Sequence, residues 1–574
     1  MDARIRILVA VAALLCCGVG RAAGLSTFAD GITWTNEIHV ATNGNNTTGN
    51  GSFGNPYATI QRAAQDATPG SAIVVAPGTY GGGNYISGLT GTAESPIWIR
   101  GASSTNRPLM DGGNDAMHLV KSRYVVVENL EVTGSSNNGV NCDDGGEYAN
   151  PNAAHHIVFR NLSIHDIGGT GNQDGLKLSG LNNYWVLDCE FARCGGGFSG
   201  SGIDHVGCHS GVIARCTFND MSGNAIQCKG GSSDIDITRC WIIDAGARGI
   251  NIGGSTGFTF FRPPLSTTTT NYEAKSIRVV GNVFRGSTAP VAYVGCIDSV
   301  VANNTFIDTD NWHVRILQET TNTPPYSFYT CGQSVFANNL VYFTKADVAW
   351  TDINVGPNTD ASSFTFANNL WYAHDNPGSS APDYPVAEQN GVVGQNPVLS
   401  NPAGEEYWIT ATSPATTNGT NLATVQADYV GTRYLAPPSI GAYEIRGDTD
   451  TDKLPDIWEI RHFRSITTSD GTGDQDGDRF PDRSEYEAGT DPTNAASRLS
   501  IKSADRRTGN AVELRWPSVP NRTYAVYYAT NLSLSNAFAV VTNGLPTTAA
   551  ENVYTDSTHS AHARVFYRVT AQRN

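Results

Sequence analysis

Charged residues are scarce in this sequence, at 16% of 574 positions. Runs of the strong helix formers Ala, Leu and Glu are sparse too, which argues against a protein built from helical repeats. Basic residues are outnumbered, with 37 Lys and Arg against 53 Asp and Glu, for a net charge of −16. Nucleic-acid binding needs a basic surface, so we expect no nucleic-acid partner. Glycine, in contrast, is abundant at 61 residues, which is typical of short strands joined by turns.

Long hydrophobic runs are missing beyond the N-terminus. An apolar run at residues 7–19 follows Arg4 and Arg6 and precedes small residues at 22–24. This pattern predicts a secretory signal over residues 1–24, because the run is too short to span a membrane. No other segment is apolar enough to cross one. We therefore expect a secreted, soluble protein without a membrane span, acting as a monomer.

Nine of the eleven cysteines follow the predicted signal, and nine is an odd number. Disulfides are possible in an oxidising compartment. Most of these cysteines, however, occupy strand positions within the repeats described next. We favour buried free thiols for Cys189, Cys216 and Cys240, because cysteine packs as a small apolar group.

A short pattern recurs between residues 120 and 372: a small polar residue or Cys, two or three β-formers, then a Gly-rich turn. Such a period signals a solenoid, and units rich in Val, Ile, Gly and Asn favour strands. We predict an all-β fold in which residues 25–445 form a parallel β-helix of about three short strands per coil, with Asn side chains stacked between coils. The aligned positions are Asn129, Asn161, Cys189, Cys216, Cys240, Asn282, Asn304, Asn339 and Asn369.

A second aligned set of strands carries the candidate functional residues. Side chains alternate between the two faces of a strand. Apolar residues such as Val140, Leu176 and Ile203 are therefore predicted to point inward, and their polar neighbours outward on one elongated face. That mixture of amides, carboxylates and cations suits an extended, anionic polysaccharide. The outward set is Asn141, Lys177, Asp204, Gln227, Asn251 and Arg315, extended by Asp143, Ser179 and Lys229.

Residues 446–497 differ from the rest in charge. Between 447 and 495 there are 13 acidic and 5 basic residues, half of the net charge of the whole chain. Two stretches place acids at positions 1, 3, 5, 9 and 12 of a loop, the spacing of an EF-hand calcium site, although Lys453 and Arg479 replace the usual Gly at position 6. We expect two structural Ca²⁺ ions. The predicted ligands are Asp448, Asp450, Asp452, Asp456 and Glu459, and Asp474, Asp476, Asp478, Asp482 and Glu485. The paired loops resemble dockerin and thrombospondin type 3 repeats.

From residue 498 to 574, short strands alternate with turns, as in 512–516, 523–528 and 565–569. This pattern predicts a small β-sandwich of immunoglobulin or fibronectin type III style. A glycan-binding role and a passive spacer are both open.

The region of residues 57–80, a short amphipathic helix ended by Pro-Gly and then a strand, resembles the opening of right-handed parallel β-helix proteins. Across roughly 300 residues the solenoid resembles the pectate-lyase-like superfamily. The stretch from Asp174 to Gly180 is similar to the lysine-base strand of family 9 polysaccharide lyases, and that resemblance implies calcium ligands at Asp143 and Asp144. The stretch from Ala225 to Lys229 is similar to the lysine strand of family 6 lyases.

These resemblances imply β-elimination of a uronate. The reaction needs a base for the C5 proton, a cation for the enolate and a proton donor for the leaving oxygen. A lysine serves as base when burial or nearby cations lower its pKa. Lys177 and Lys229 lie two coils apart, about 10 Å, and we place Lys177 slightly ahead. The candidate catalytic residues are Lys177, Lys229, Asp204, Arg248 and Arg315, and the candidate substrate-binding residues are Asn141, Asp174, Gln227, Asn251 and His205.

Two other functions stay open. A glycoside hydrolase would use Asp174 and Asp204 as general acid and base. A non-catalytic solenoid would bind glycan only. Zinc is not favoured, because His155, His156, His205 and His209 lack the spacing of a metal site.

Overall fold

The structure is a computed structural model. It describes residues 25–573 apart from positions 170, 197–198, 349–350, 410–411, 424, 426, 445–447, 449, 464–466, 534–536, 549, 560–561 and 563, and apart from the side chains of 456, 457, 460, 461 and 510. The predicted signal, residues 1–24, lies outside the described residues. The chain divides into two compact units, with the boundary between residues 445 and 446.

The first unit is a right-handed parallel β-helix, and this prediction is confirmed. Its coils contribute strands to three long sheets, and each strand pairs in parallel with its equivalent in the next coil. The strands twist and connect in the one hand that right-twisted strands favour. Sheet I consists of Asn36–Val40, Ser71–Val75, Ile97–Gly101, Arg123–Glu128, Ala154–Arg160, Leu181–Leu187, His209–Ala214, Asp236–Thr238, Arg278–Val280, Val300–Ala302, Val335–Ala337 and Thr365–Ala367, with the short strands Ser232–Ser233, Ala274–Lys275 and Cys296–Ile297 beside them.

Sheet II is the face on which the candidate site lies. It consists of Asn84–Ser87, Met117–Val120, Val140–Asp143, Leu176–Ser179, Ser201–Val206, Asn224–Lys229, Arg248–Gly253, Val291–Val294, Val314–Leu317 and Ile353–Val355. Sheet III consists of Thr79–Gly81, Leu109–Asp111, Glu131–Thr133, Ser163–Ile167, Glu190–Cys194, Thr217–Asn219, Trp241–Ile243, Val283–Arg285, Thr305–Ile307, Leu340–Phe343, Leu370–Ala373 and Val392–Val393.

The interior of the β-helix is one continuous apolar core. The inward residues of sheet II are almost fully buried, from Val140 through Leu176 and Ile203 to Val314. The short amphipathic helix predicted in this region lies at Ile60–Ala64 and covers the first coil. Thr59 caps its N-terminus, and Ile60 and Ala63 are buried in the core. The helix therefore shields apolar side chains that the open end of the solenoid would expose to water.

Asparagines form a hydrogen-bonded ladder inside the C-terminal half of the solenoid. Asn282 Nδ2 donates to Asn304 Oδ1 at 3.0 Å, Asn304 to Asn339 at 3.0 Å and Asn339 to Asn369 at 3.1 Å. All four are fully buried. The ladder ends at Glu388, whose Oε1 accepts from Asn369 Nδ2 at 2.6 Å.

The ladder column differs from the predicted one at its first two positions. Asn129 and Asn161 precede the interior position by one residue and have left-handed φ values of 59° and 52°. The interior position in those coils is occupied by Leu130 and Leu162, both fully buried. Asn129 and Asn161 instead belong to a neighbouring turn column, where a short polar residue tolerates positive φ.

The Asn304→Ala variant tests the ladder. It is expected to cost at least about 2 kcal/mol of unfolding free energy, because the buried Asn282 amide groups lose their acceptor. Chemical denaturation would measure the loss. The control is Asn106→Ala, which truncates an exposed asparagine. Equal stability of the two variants would contradict a stabilising role for the ladder.

The cysteine prediction is also confirmed. All nine cysteines after residue 24 are free and buried. Cys189, Cys216 and Cys240 continue the interior column N-terminal to the asparagines, and each thiol faces a carbonyl oxygen of the same sheet at 3.3–3.5 Å. They act as small core residues.

The second unit holds two helices, Asp456–Phe463 and Asp482–Ala488, and two antiparallel sheets. One sheet contains Ser503–Arg506, Val512–Pro517 and Glu551–Asp556, and the other Ala539–Pro546, Arg522–Ala529 and Phe566–Arg573. Both sheets contribute to one apolar cluster around Leu514, Trp516, Tyr524 and Val526.

In the first unit, Leu399–Asn401 pairs with Glu406–Ile409 after the last coil. Short 3-10 turns lie at Phe258–Phe260, Lys345–Asp347, Ala361–Ser363, Pro377–Ser379, Pro402–Gly404 and Thr508–Asn510.

None of the helices in the described residues combines the length and the apolar character that crossing a bilayer requires.

Candidate functional site

The outward residues of sheet II lie in register along one face. Asn141 pairs with Lys177, Lys177 with Asp204, Asp204 with Gln227 and Gln227 with Asn251. The alternation of each strand positions them, since Val140, Leu176, Ile203, Ile226 and Ile250 fill the core on the other side. The face therefore presents one polar side chain per coil at a spacing of about 4.8 Å.

Two lysines and two buried carboxylates form the centre of this face. The Lys177 Nζ donates to Asp204 Oδ2, and also to Asp174 Oδ2 at 3.2 Å. The Lys229 Nζ reaches the same oxygen of Asp204 at 3.3 Å and donates to Gln227 Oε1 at 3.1 Å. One strand, Ser201–Val206, lies between the strands of the two lysines, yet both ammonium groups meet at one oxygen. Asp204 is thus the shared anchor of the pair.

The charges in this cluster hold its pKa values apart. Burial lowers the pKa of Lys177, but Asp204 and Asp174 outweigh burial and raise it above the ordinary lysine value. Burial, and then Asp204, raises the pKa of Asp174 to about 6 despite the two lysines. Burial also raises the pKa of Asp204, but Lys177 and Lys229 together bring it below its ordinary value. Lys177 is therefore held as an ammonium ion, contrary to the expectation that its surroundings lower its pKa.

A cavity of about 690 Å³ opens in front of the lysines. Lys177 and Lys229 line its wall, whereas Asp174 and Asp204 are fully buried behind them. Within the described part of the chain, Asp204 Oδ1 has no hydrogen-bond partner. A molecule beside Lys177 and Lys229 therefore meets their ammonium groups before it meets Asp174 or Asp204. The wall comprises Tyr85, His118, Val120, Asn138, Asn141, Asp143, Asp144, Gly145, Gly146, Tyr148, Asn172, Lys177, Ser179, Val206, Lys229, Ser255, Thr256, Gly257, Phe260 and Arg262.

The loop of residues 255–262 forms one side of the cavity. Arg262 anchors it: Nε donates to Asp144 Oδ2 at 2.7 Å and Nη2 to Asp144 Oδ1 at 3.3 Å. The guanidinium also stacks on the ring of Tyr148 at 4.1 Å. The loop is further held by Glu273, which accepts from the Thr256 amide at 2.9 Å. Phe260 remains half exposed beside the cavity.

This geometry disagrees with calcium ligation by Asp143 and Asp144. Both carboxylate oxygens of Asp144 accept hydrogen bonds from Arg262. Asp143 Oδ2 lies 2.6 Å from His118 Nε2, and its Oδ1 accepts from the Gly145 amide at 2.8 Å. Adjacent strand residues with separate protein partners do not present a shared set of free oxygens to an ion.

His118 and Tyr85 are cavity residues that the sequence analysis missed. They continue the outward column toward the N-terminus, since Tyr85 pairs with His118 and His118 with Asn141. The hydrogen bond that His118 donates to Asp143 raises the pKa of His118 above its ordinary value, although burial opposes this. The rings of Tyr85 and His118 pack edge to face, with their centroids 5.3 Å apart. Extending the predicted column by two coils would have found both.

Gln227, Asn251, Arg248 and Arg315 do not line the cavity. Gln227 and Asn251 are nearly buried on the sheet. Arg248 donates to Asn251 Oδ1 and Glu319 Oε1, both at 2.9 Å. Arg315 stacks on Trp312 at 4.2 Å and lies five strands from Lys177, roughly 24 Å along the axis. Neither arginine is therefore placed to complete the lysine centre.

His205 is placed differently from the prediction. It follows Asp204 on the strand and so points inward, where it is fully buried between Leu178 and Cys228. Its Nδ1 lies 2.8 Å from the Gln227 carbonyl, and burial lowers its pKa to about 4. It is a neutral core residue and cannot contact substrate.

The two acidic loops of the second unit bring their carboxylates together. Oxygens of Asp448, Asp450 and Asp452 lie within 4.8 Å of one another, as do those of Asp474, Asp476 and Asp478. Lys453 and Arg479 adopt φ values of 76° and 77°, the left-handed conformation that the usual glycine supplies at loop position 6. Both loops thus keep the turn despite the substitution.

The predicted ligands at positions 9 and 12 of the two loops differ in their surroundings. Glu485 is buried, and its Oε2 has no hydrogen-bond partner among the described residues. Burial and then Asp476 and Asp478 raise the pKa of Glu485 to about 7. Asp482 instead accepts from Ser469 Oγ at 2.6 Å and the Gln475 amide at 3.1 Å. Glu459 is buried, and the side chain of Asp456 lies outside the described residues.

Comparison with known proteins gives the following matches. A family model described as a right-handed β-helix region matches residues 115–263. No sequence among the curated proteins matches the chain. In structure the chain is similar to a pectate lyase, with 16% identity and a TM-score of 0.45 over 72% of this chain and 98% of the other. It is also similar to a rhamnogalacturonan lyase, with 13% identity and a TM-score of 0.40 over 58% of this chain and 87% of the other. A third similar structure is an alginate lyase from Paenibacillus, with 17% identity and a TM-score of 0.36 over 62% of this chain and 95% of the other. The matched region, residues 115–263, includes the strands that carry Lys177, Asp204 and Lys229, and the model describes it as right-handed β-helix.

Proposed function

We propose that this chain is a polysaccharide lyase that cleaves a uronate-containing glycan by β-elimination. The observation that carries the proposal is the lysine pair: Lys177 and Lys229 line the cavity and share the buried carboxylate of Asp204. Two ammonium groups at one point suit a substrate carboxylate whose charge grows as an enolate forms. The substrate is an extended polysaccharide, and the proposal includes export of the protein to where such polymers occur.

The roles of the two lysines follow from their partners. Lys177, held as an ammonium ion by Asp174 and Asp204, stabilises the enolate. Lys229 contacts only Asp204 among these carboxylates, at the longer distance of 3.3 Å. It acts as the base once it has lost its own proton to solvent: the neutral amine takes the C5 proton, and the ammonium ion so formed gives a proton to the leaving glycosidic oxygen. This order reverses the sequence-based preference for Lys177 as the base, because two carboxylates oppose the loss of its proton.

A glycoside hydrolase acting through Asp174 and Asp204 has less support. Their pKa values are separated in the way an acid and a base require. However, both carboxylates are fully buried behind the lysines, so neither reaches a glycosidic oxygen in the cavity. A non-catalytic glycan-binding role would need the cavity but no lysine pair.

The test of the proposal is incubation with a panel of uronate polymers while ultraviolet absorbance is followed. New absorbance from unsaturated sugar ends is expected. Reducing ends without absorbance would replace the proposal by a hydrolase. Retention in glycan-containing gels without any cleavage would replace it by a binding protein.

The raised pKa of Asp174 predicts a pH dependence of substrate affinity. Below pH 6 the Asp174 carboxyl is neutral, so the four charged groups carry one net positive charge, and above it they carry none. The KM for an anionic polymer is therefore expected to rise by about tenfold as pH increases from 5 to 8. Comparison with Asp174→Asn isolates this contribution from that of His118, because the variant keeps His118 but cannot ionise at 174. Identical pH profiles of KM for the two proteins would contradict the prediction.

We also propose that the two acidic loops bind structural Ca²⁺. The support is the clustering of three carboxylates in each loop and the buried, unpartnered Oε2 of Glu485 at position 12 of the second. Burial and mutual repulsion raise the pKa values of Asp452 and Asp476, and a cation would relieve that repulsion. Asp448, Asp450, Asp452, Asp474, Asp476, Asp478 and Glu485 would supply oxygens, and Asp482 would organise the loop through its hydrogen bonds.

A further inference from the structure

The two ends of the cavity differ in chemistry. One end, here called the lysine end, presents Lys177 and Lys229. The other, here called the aromatic end, presents Tyr85, His118, Asp143 and Tyr148. Tyr85 is 53% exposed. Its open ring offers an apolar surface to a ligand, while its hydroxyl offers a hydrogen bond.

The aromatic end repels carboxylates. The charge on His118 lies between Asp143, at 2.6 Å, and Asp115, whose Oδ2 is 3.8 Å from His118 Nδ1. Two other ion pairs nearby cancel internally: Arg262 with Asp144, and Lys121 with Glu147. The balance of these groups is one negative charge even with His118 protonated. A uronate carboxylate placed here would meet like charge, whereas sugar hydroxyls would find acceptor oxygens.

The two ends lie too far apart to hold one sugar. Tyr85 and Lys177 occupy the same column three strands apart, roughly 14 Å along the solenoid axis. A glycan chain lying along the column therefore places different sugar units at the two ends. Asn141, midway between them, donates to Asp115 in a long contact of 3.5 Å and carries no charge.

We infer that the substrate is a mixed polysaccharide in which a neutral sugar lies near the uronate that reacts. The uronate occupies the lysine end, and the neutral sugar stacks on Tyr85 and donates its hydroxyls to Asp143 at the aromatic end. This inference rests on the proposed lyase function and narrows its substrate class. It excludes homopolymers of uronate as the preferred substrate, because they would place a carboxylate beside Asp143.

The experiment compares a uronate homopolymer, polygalacturonate, with polymers that alternate uronate and neutral sugar, the rhamnose–galacturonate backbone and hyaluronan. Absorbance from unsaturated ends is measured for each. We expect kcat/KM at least about tenfold higher on one of the alternating polymers. Tyr85→Ala should raise KM on that polymer about tenfold with kcat little changed, a size typical of a lost aromatic contact. Tyr329→Ala removes an exposed ring away from the cavity and should leave KM unchanged.

A second variant tests the charge. Asp143→Asn should lower the preference for the alternating polymer by raising activity on the homopolymer, since it removes the like charge. Preferred cleavage of a homopolymer by the unaltered protein would overturn this inference and leave the lyase proposal intact. Absence of absorbance on every polymer would overturn the lyase proposal instead. In that case the retention of the protein in gels that contain each polymer decides. Stronger retention by the alternating polymers than by the homopolymer, lost in Tyr85→Ala, supports the inference. Equal retention by both kinds of polymer, stronger retention by the homopolymer, or no retention overturns it.

Discussion

The Lys177→Ala and Lys229→Ala variants are each expected to lower the rate of β-elimination by about two to four orders of magnitude. Loss of a positioned base or of a fixed cation in an active site typically has effects of this size. The measurement is the initial rate of absorbance increase on the best polymer of the panel. The control is Lys275→Ala, which removes a more exposed lysine paired with Asp298. If both cavity variants kept full activity, the lysine centre would be wrong.

The same variants should differ in stability. An outward lysine on a strand is usually worth no more than about 0.5 kcal/mol of unfolding free energy. Lys177, however, neutralises two carboxylates that are fully buried. Breaking a buried ion pair from one side typically costs about 3 to 5 kcal/mol. Thermal unfolding of Lys177→Ala should therefore show a clear loss, and Lys177→Arg, which keeps the charge, should stay folded and yet turn over slowly.

Removal of calcium is expected to destabilise the second unit by about 3 kcal/mol for each ion lost, relative to protein in free calcium at a hundredfold excess over its Kd. The carboxylates of both loops would then repel one another without compensation. Calorimetry of the full chain, with and without a chelator, should show one of its unfolding transitions shift and the β-helix transition stay. Titration should detect two ions.

Glu485→Gln sharpens the calcium test, because it removes one charge from a buried position of the second loop. The variant should weaken the binding of one of the two calcium ions and leave the affinity for the other unchanged. Asp505→Asn, at an exposed position on a strand of the same unit, is the control. No calcium binding at millimolar concentration would reject the proposal.

The solenoid was predictable because it repeats. Each coil restates the same alternation of apolar and polar residues, so errors in one coil are corrected by the next. The column shift at Asn129 and Asn161 shows the limit. Two adjacent columns favour asparagine for different reasons: one needs an amide inside, and the other tolerates positive φ. Residue identity alone does not separate these two causes.

The site was less predictable because alternation gives the direction of a side chain and not its cover. Asp204 belongs to the outward set, yet it is fully buried. The contact of Arg262 with Asp144 joins residues 118 positions apart, through a loop that follows no repeat. His205 was misplaced for a simpler reason, since it is adjacent to an outward residue and must face inward.

The asparagine ladder also makes coils interchangeable parts. Each coil from Asn282 to Asn369 offers an acceptor to the coil before it and a donor to the coil after it. A copy of residues 305–339 inserted after Asn339 would keep every rung, so the solenoid can be lengthened there without new chemistry. Glu388 closes the series, because its two carboxylate oxygens accept hydrogen bonds from Asn369 and Trp371 and it has no side-chain amide to donate to a further coil. The identity of the residue at position 388 thus determines where the ladder of side-chain hydrogen bonds ends.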